Sequence, residues 1–271
     1  MRLAILADIH GNLPAFEAAL AHARAQAPDQ IVIAGDIVNG SPDSAACWRL
    51  ARSLGVPMLQ GNHERYVYNY GTPHAQPSLD PEQFAPVRWS HDQLSAAERA
   101  ELAALPGHLR LAEAPDLLIV HASQRSDRES IHNFVTDAQL AEMFPAPDAS
   151  LIVRGHNHAG AVRPWGERLL VTAGAVGLPL NNVTTAQYLI LDRAQGRWRI
   201  THHSVPYDLE AALQRFHSTG YLAAAGVMGR LLYRELATAS FYMVPFLEAY
   251  SRWREVAPLS LEQALERFLS L

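Results

Sequence analysis

The chain has 271 residues, 49% of them hydrophobic and 18% charged, which is enough to bury one sizeable core. Its formal net charge is −5 with acidic and basic residues mixed, so no Lys/Arg-rich stretch exists to track a long nucleic acid. A single cysteine, Cys47, excludes an internal disulfide and a thiolate-rich zinc site and fits a reducing cytoplasm; no apolar run reaches the roughly 18 residues that cross a bilayer, so no membrane partner is expected.

The first apolar run, Leu3 to Ala7, ends in Asp8 instead of a small-residue cleavage site and reads as a strand. Leu13, Phe16, Leu20 and Ala23 then share one helical face, with Pro14 near the start where its missing N–H costs little. Ile31 to Ala34 is a second strand, Ser44 to Leu54 a second helix, and a short run at Met58 a third strand. Residues 66–92 are rich in Pro, Gly, Tyr and His without a period, so a long insertion loop is expected there. Strands follow at Leu117 to Val120, Leu151 to Val153, Leu169 to Val171 and Tyr188 to Leu191, closely spaced after Leu151. From Tyr207 the pattern is helical, near Leu209 to Phe216, Leu222 to Leu236 and Leu261 to Leu271. Strand–helix alternation giving way to neighbouring strands predicts an α/β chain. One domain spans 1–271, with a helical C-terminal extension over 207–271.

The polar residues that end these strands carry the chemistry. They are Asp8-Ile9-His10, Gly35-Asp36, Gly61-Asn62-His63-Glu64, His121 and Gly155-His156-Asn157-His158. The carboxyl ends of strands in an open α/β sheet face one crevice, so side chains distant in sequence are expected to converge. Carboxylate and amide oxygens mixed with imidazoles suit Mn, Fe or Zn, and two such ions fit this set. The glycines before Asp36, Asn62 and His156 suggest tight turns beside the ligands.

Asp8-x-His10, Gly35-Asp36, Gly61-Asn62-His63-Glu64, His121 and Gly155-His156-x-His158 together resemble the signature of calcineurin-like metallophosphoesterases. Gly174-Ala175-Val176-Gly177-Leu178-Pro179 and Val205-Pro206-Tyr207-Asp208 are similar to a bacterial branch of small phosphodiesterases and phosphatases. The resemblance implies an αββα sandwich of two mixed sheets flanked by helices. It implies two divalent metals, Mn in vitro, with Asp8, His10 and His158 on one, Asn62, His121 and His156 on the other, and Asp36 bridging. A metal-activated hydroxide would attack phosphorus while His63 protonates the leaving oxygen. Asn12, Arg65, Arg125 and Arg128 are candidate substrate contacts, and Glu64 is expected to orient His63 or a neighbour.

A lone Asp-x-His or Gly-Asp is more often an ordinary turn; seven candidate ligands in the family's order, each after an apolar run, are not. His22, His74, His108, His202, His203 and His217 lack that placement and read as surface or packing residues. The chain departs from the family pattern at Ala122, Asn157 and Ala175. At Asn39 it lacks the Asp-Arg pair of protein Ser/Thr phosphatases. The resemblance to bacterial members implies a small phosphodiester or phosphomonoester substrate, nucleotide-like such as a 2′,3′-cyclic nucleotide, and Tyr66, Tyr68, Tyr70 and Trp89 after His63 offer rings on which a base would stack. The alternatives are a dinucleoside polyphosphate or protein serine/threonine phosphatase and, in another class, a catalytically silent metal-binding scaffold.

Overall fold

A computed structural model of the chain describes residues 1–75, 82–145 and 147–270. In chain order its elements are β1 (Arg2–Leu6), α1 (Leu13–Ala25), β2 (Gln30–Ile33), α2 (Ser44–Ser53), α3 (Asn62–Asn69), α4 (Ala85–Gln93) and α5 (Ala96–Ala103). There follow β3 (His108–Leu111), β4 (Ala114–Val120), α6 (Asp137–Met143), β5 (Leu151–Arg154), β6 (Ala161–Trp165), β7 (Arg168–Thr172), β8 (Ala186–Ala194) and β9 (Arg197–Val205). The chain closes with α7 (Leu209–Ser218), α8 (Tyr221–Thr238), α9 (Met243–Val256) and α10 (Leu261–Leu269).

One sheet runs β2-β1-β8-β9 and the other β3-β4-β5-β7-β6. Both are mixed: β1 pairs parallel with β2 and antiparallel with β8, while β5 is parallel to both β4 and β7 and the edge strands β3 and β6 are antiparallel to β4 and β7. The two-residue period of the strands sorts their side chains into layers. Leu3, Ile5 and Val32 of the first sheet meet Leu117, Ile119, Leu151 and Val153 of the second in one core between the sheets. Ala4, Leu6 and Ile33 point the other way, onto Phe16 and Leu20 of α1 and Trp48 of α2. On the far side Leu118, Val120, Ile152 and Leu170 cover Leu140 of α6 and Phe144. The result is an αββα sandwich of two mixed sheets flanked by helices.

The apolar runs read from sequence lie in β1, β2, β4, β5, β7 and β8. The strands without such runs, β3, β6 and β9, are sheet edges that expose alternate side chains. Two expectations are corrected. The third strand is a single bridge between Ile33 and Met58, since its chain neighbours turn toward the site. The stretch 66–92 is not one loop: α3 runs on to Asn69 and α4 begins at Ala85, with Val67 and Val87 buried in the main core. Their apolar residues are too few and too spaced by polar ones for a period to stand out, and residues 76–81 of that stretch lie outside the described residues.

In the C-terminal segment Phe246, Ala249 and Tyr250 of α9, a helix without a sequence-level expectation, pack with α8 and α10. No helix among the described residues is long and apolar enough to cross a membrane. Phe16 is fully buried whereas Phe134 is 81% exposed. Phe16→Ala should therefore cost about 3–5 kcal/mol of unfolding free energy, and Phe134→Ala close to nothing, as urea titrations would report.

Candidate dinuclear metal centre

The site is built where β1, β2, β4 and β5 end. The ladder between β1 and β2 continues past both strands, through Asp8 N to Gly35 O at 3.1 Å and His10 N to Asp36 O at 2.9 Å. Asp8, His10, Asp36, His156 and His158 all take left-handed backbone conformations, with φ between 51° and 66°. For L residues this costs roughly 1–2 kcal/mol each, so the surroundings must hold them. Of the three glycines expected to turn, only Gly35 has positive φ. Gly61 and Gly155 are needed for space: an added Cβ would stand 2.1 Å from Asp36 Oδ1 and 2.7 Å from Asp8 Oδ2 respectively.

All seven candidate ligands come together. Atoms of Asp8, His10, Asp36 and His158 lie within 4.8 Å of one another, as do those of Asp36, His121 and His156, so Asp36 belongs to both groups. Asn62 Oδ1 is 3.1 Å from His121 Nε2. Backbone carbonyls choose the tautomers of three imidazoles. His10 Nδ1 faces Asn39 O at 2.7 Å, His158 Nδ1 faces Leu178 O at 2.6 Å and His121 Nδ1 faces Ala34 O at 2.9 Å. A carbonyl only accepts, so each Nδ1 carries the proton and each neutral ring is left with a lone pair on Nε2. The His10 and His158 Nε2 atoms then face each other at 3.1 Å. Asp36 Oδ2 is buried with no aligned donor among the described residues, although His121 Nε2 lies 3.1 Å away. Lone pairs converging in a dry pocket repel unless a cation sits among them, and this donor set fits two divalent ions.

The chain's own charges tell the same story. At Asp36 burial opposes ionisation, but His121, His63 and His10 overrule it and hold the carboxyl well below its usual range. At His121 burial opposes the charge, and Asp36 and Asp8 overrule it, pushing the imidazole up to about 9. His10 is driven well below its usual value by burial, then by His63 and His158; His156 falls to about 2, chiefly through burial and then His121. Burial raises Asp8, whose carboxylate accepts from His156 N at 3.0 and 3.1 Å.

Glu64 is fully buried, yet it does not touch His63. Its Oε2 accepts from Asp36 N at 2.8 Å and Gly61 N at 2.7 Å, and its Oε1 from Ile37 N at 2.7 Å and Val38 N at 3.1 Å. It locks the Asp36 turn to the start of α3. Burial and then Asp36 push its carboxyl up to about 7, and the N–H groups of Gly61 and Val38, followed by His121, pull the other way. His63, in the first turn of α3, donates its N–H to Asp36 Oδ1 at 2.9 Å. Asn39 orients its ring: Asn39 Nδ2 donates to His63 Nδ1 at 2.7 Å, leaving the proton on Nε2, which lies 4.0 Å from Asp36 Oδ2. Sequence reading noted Asn39 only for the pair it lacks; its signal is a polar side chain three residues after Asp36. Arg154 was also missed. Fully buried, it donates to the carbonyls of Ala122 and Glu129 and to Asn157 Oδ1, tying the loop after His121 to the His156–His158 loop.

Among the candidate substrate contacts, Asn12 is occupied elsewhere. It caps α1 through Ala15 N and donates to Gly177 O at 2.8 Å and the Tyr207 hydroxyl at 3.3 Å. Arg65 forks onto Asp127 at 2.5 and 2.9 Å, and Arg125 pairs with Glu129 at 2.8 Å. The Arg128 side chain is exposed. Of the four aromatic residues, Tyr66 alone is paired with His63, 5.5 Å between centroids. Tyr68 bonds Gln60, Tyr70 meets His91, and Trp89 donates to Pro42 O against Tyr221. His22 bonds the Tyr188 hydroxyl, which stacks on His203. His202 bonds Thr172 O, His217 meets Tyr233, and His74 and His108 are exposed, so none of these six joins the clusters.

A family model for calcineurin-like phosphoesterases matches residues 1–160, which contain every one of these ligand candidates. The chain belongs to that family. With the two clusters in place, it is a metal-dependent phosphoesterase. It is 27% identical to a metallophosphoesterase of Sphaerobacter thermophilus, covering 83% of this chain and all of that one with a TM-score of 0.66. A hypothetical protein, PH1004, of Pyrococcus horikoshii shares the fold at 18% identity, with a TM-score of 0.73 over 86% of this chain and 97% of its own. An uncharacterised protein of Methanocaldococcus jannaschii, MJ0912, is 24% identical over 79% of this chain and 90% of its own.

Two predictions follow from the geometry. Glu64→Gln presents an NH2 group to two backbone N–H donors whichever way the amide turns, so it should cost about 2–4 kcal/mol of stability, measurable by chemical denaturation. In metal-free protein the raised His121 favours folding below an unfolded pKa of 6.5, and that contribution is lost as pH rises through about 9. Stability should then fall by on the order of 3 kcal/mol between these limits. Chelated protein melted across that range tests it, and a fall that persists in His121→Asn would assign the titration elsewhere.

Proposed function

We propose that the chain hydrolyses small phosphodiesters and phosphomonoesters, with nucleotide-like esters such as 2′,3′-cyclic nucleotides as the substrate class. It would work in the cytoplasm, in the manner of small bacterial phosphodiesterases and phosphatases. The observation that carries the reading is the buried Asp36 Oδ2 without an aligned donor, ringed by the Nε2 atoms of His10 and His121 and clustered with His158. Asp8, His10 and His158 would hold one ion, Asn62, His121 and His156 the other, and Asp36 both. Bound divalent ions, Mn in our reading, supply activated water and charge to stabilise the phosphoryl group in its transition state. Two carboxylates against four positive charges leave the pocket cationic, which suits a phosphate anion in a protein of net charge −5.

His63 is the residue we assign to the leaving oxygen. Its side chain is 28% exposed, its Nε2 carries the proton because Asn39 fills Nδ1, and burial holds its pKa below the usual value, although Asp36 opposes this. Tyr66 supports the nucleotide preference, since its ring lies beside His63 where a base would reach it. Arg65, also in α3, is the arginine best placed to exchange Asp127 for a phosphate.

The test is a panel of phosphomonoesters, linear diesters and 2′,3′-cyclic nucleotides given to chelator-stripped protein with and without Mn²⁺. Activity should depend on the ion and vanish in Asp36→Ala. His63→Ala should keep both ions and lose on the order of 10²–10⁴ in turnover, with the larger loss on alkoxide leaving groups and the smaller on nitrophenolate. Full binding of two ions with no hydrolysis of any ester would instead support the silent scaffold.

A further inference from the structure

The segment after Asp36 turns at Asn39 and Gly40, and its shape governs two imidazoles at once. The Asn39 carbonyl accepts from His10 Nδ1 at 2.7 Å, and the Asn39 side chain donates to His63 Nδ1 at 2.7 Å. The peptide between Gly40 and Ser41 adds a grip on His10, because Ser41 N donates to the His10 carbonyl at 2.7 Å. Asn39 and Gly40 have φ of 63° and 125°, both in the left-handed region, and a Cβ on Gly40 would stand 3.0 Å from His10 Cβ. A turn built on glycine has low barriers to a peptide flip and needs an outside constraint.

That constraint comes from the far end of the chain. Tyr221, at the start of α8, is fully buried and donates its hydroxyl to Gly40 O at 2.9 Å. The same peptide plane is thus pinned on its oxygen by Tyr221 and holds His10 through its N–H. Arg215 of α7 forks onto Asp43, with Nε 2.9 Å from Oδ2, and Trp89 donates to Pro42 O at 2.9 Å while meeting the Tyr221 ring edge-on at 5.4 Å. Both α7 and α8 lie beyond residue 160, where the family model ends.

We propose that α7 and α8 clamp the metal centre, with Tyr221 as a positioning residue. Its hydrogen bond to Gly40 fixes the 39–41 backbone and, through it, His10 and His63. The proposal rests on the phosphoesterase reading for its turnover arm only.

Tyr221→Phe removes the hydroxyl and keeps the ring. In competition with a chelator, the variant should hold one of two Mn²⁺ ions about tenfold more weakly, and turnover of bis(nitrophenyl) phosphate should drop by a similar factor with KM nearly unchanged. Tyr233→Phe is the control. It lies in α8 beyond the break at Gly226, with its ring against Phe216 and His217, and should leave Mn²⁺ affinity and turnover as in the wild type. Wild-type Mn²⁺ affinity in Tyr221→Phe, even with a lowered melting temperature, would overturn the clamp and make Tyr221 a packing residue. A wild-type protein that binds Mn²⁺ but hydrolyses no ester would instead defeat the phosphoesterase reading, and the chelator competition would still decide the clamp.

Discussion

Everything in the site is arranged around one carboxylate that is deprived of ordinary partners on one side. Asp36 spends Oδ1 on the N–H of His63 at the start of α3 and its backbone carbonyl on His10 N, and keeps Oδ2 bare and buried. A buried carboxylate oxygen without an aligned donor is costly in a dry interior, and the charge of His121, 3.1 Å away, offsets part of that cost. It persists because four N–H groups ending on Glu64 hold its backbone, and because imidazoles surround the exposed charge. The fold tolerates this cost at the one place where a cation converts it into binding.

The same logic explains the histidines. Metal ligation by imidazole requires a free lone pair, and the protein secures it by giving the opposite nitrogen to a backbone carbonyl at three separate positions. Those carbonyls sit on residues 34 and 39, both in the connection between β2 and α2, and on residue 178, in a loop far along the chain. Ligand identity and ligand tautomer are therefore specified by different parts of the molecule. Left-handed backbone at Asp8, His10, Asp36, His156 and His158 aims the side chains off the strand ends. The strain is carried by a core between the sheets whose members, from Leu3 to Leu191, are almost all fully buried.

The buried Arg154 and Glu64 do complementary work on either side of the centre. One gathers carbonyls and an amide oxygen from the loops after His121 and His156; the other gathers N–H groups from the loops around Asp36 and Gly61. Each places a charge inside the protein and satisfies it with backbone dipoles, which is the arrangement that makes such a charge bearable and its loop rigid.

Much of this was legible in the amino-acid sequence. Apolar runs at Leu3–Ala7 and Leu151–Val153 mark central strands because they are buried on both faces, Ile31–Ala34 marks the strand beside β1 at the end of its sheet, and polar residues placed just after such runs must gather at one edge of the sheets. All seven candidate ligands and His63 stand just after such runs. The edge strands β3, β6 and β9 and the helices within 66–92 left no comparable trace, since their half-exposed residues need no period. The sequence also could not assign second partners. Glu64 stands next to His63 in the chain yet serves the Asp36 backbone, while Asn39, 24 residues away from His63, takes the imidazole. Tyr221 reaches Gly40 across 181 residues. Local patterning determines which residues lie at strand ends, because burial period is a property of neighbouring residues. Which hydrogen bond orients each of them depends on distances between loops, and only the packed chain sets those.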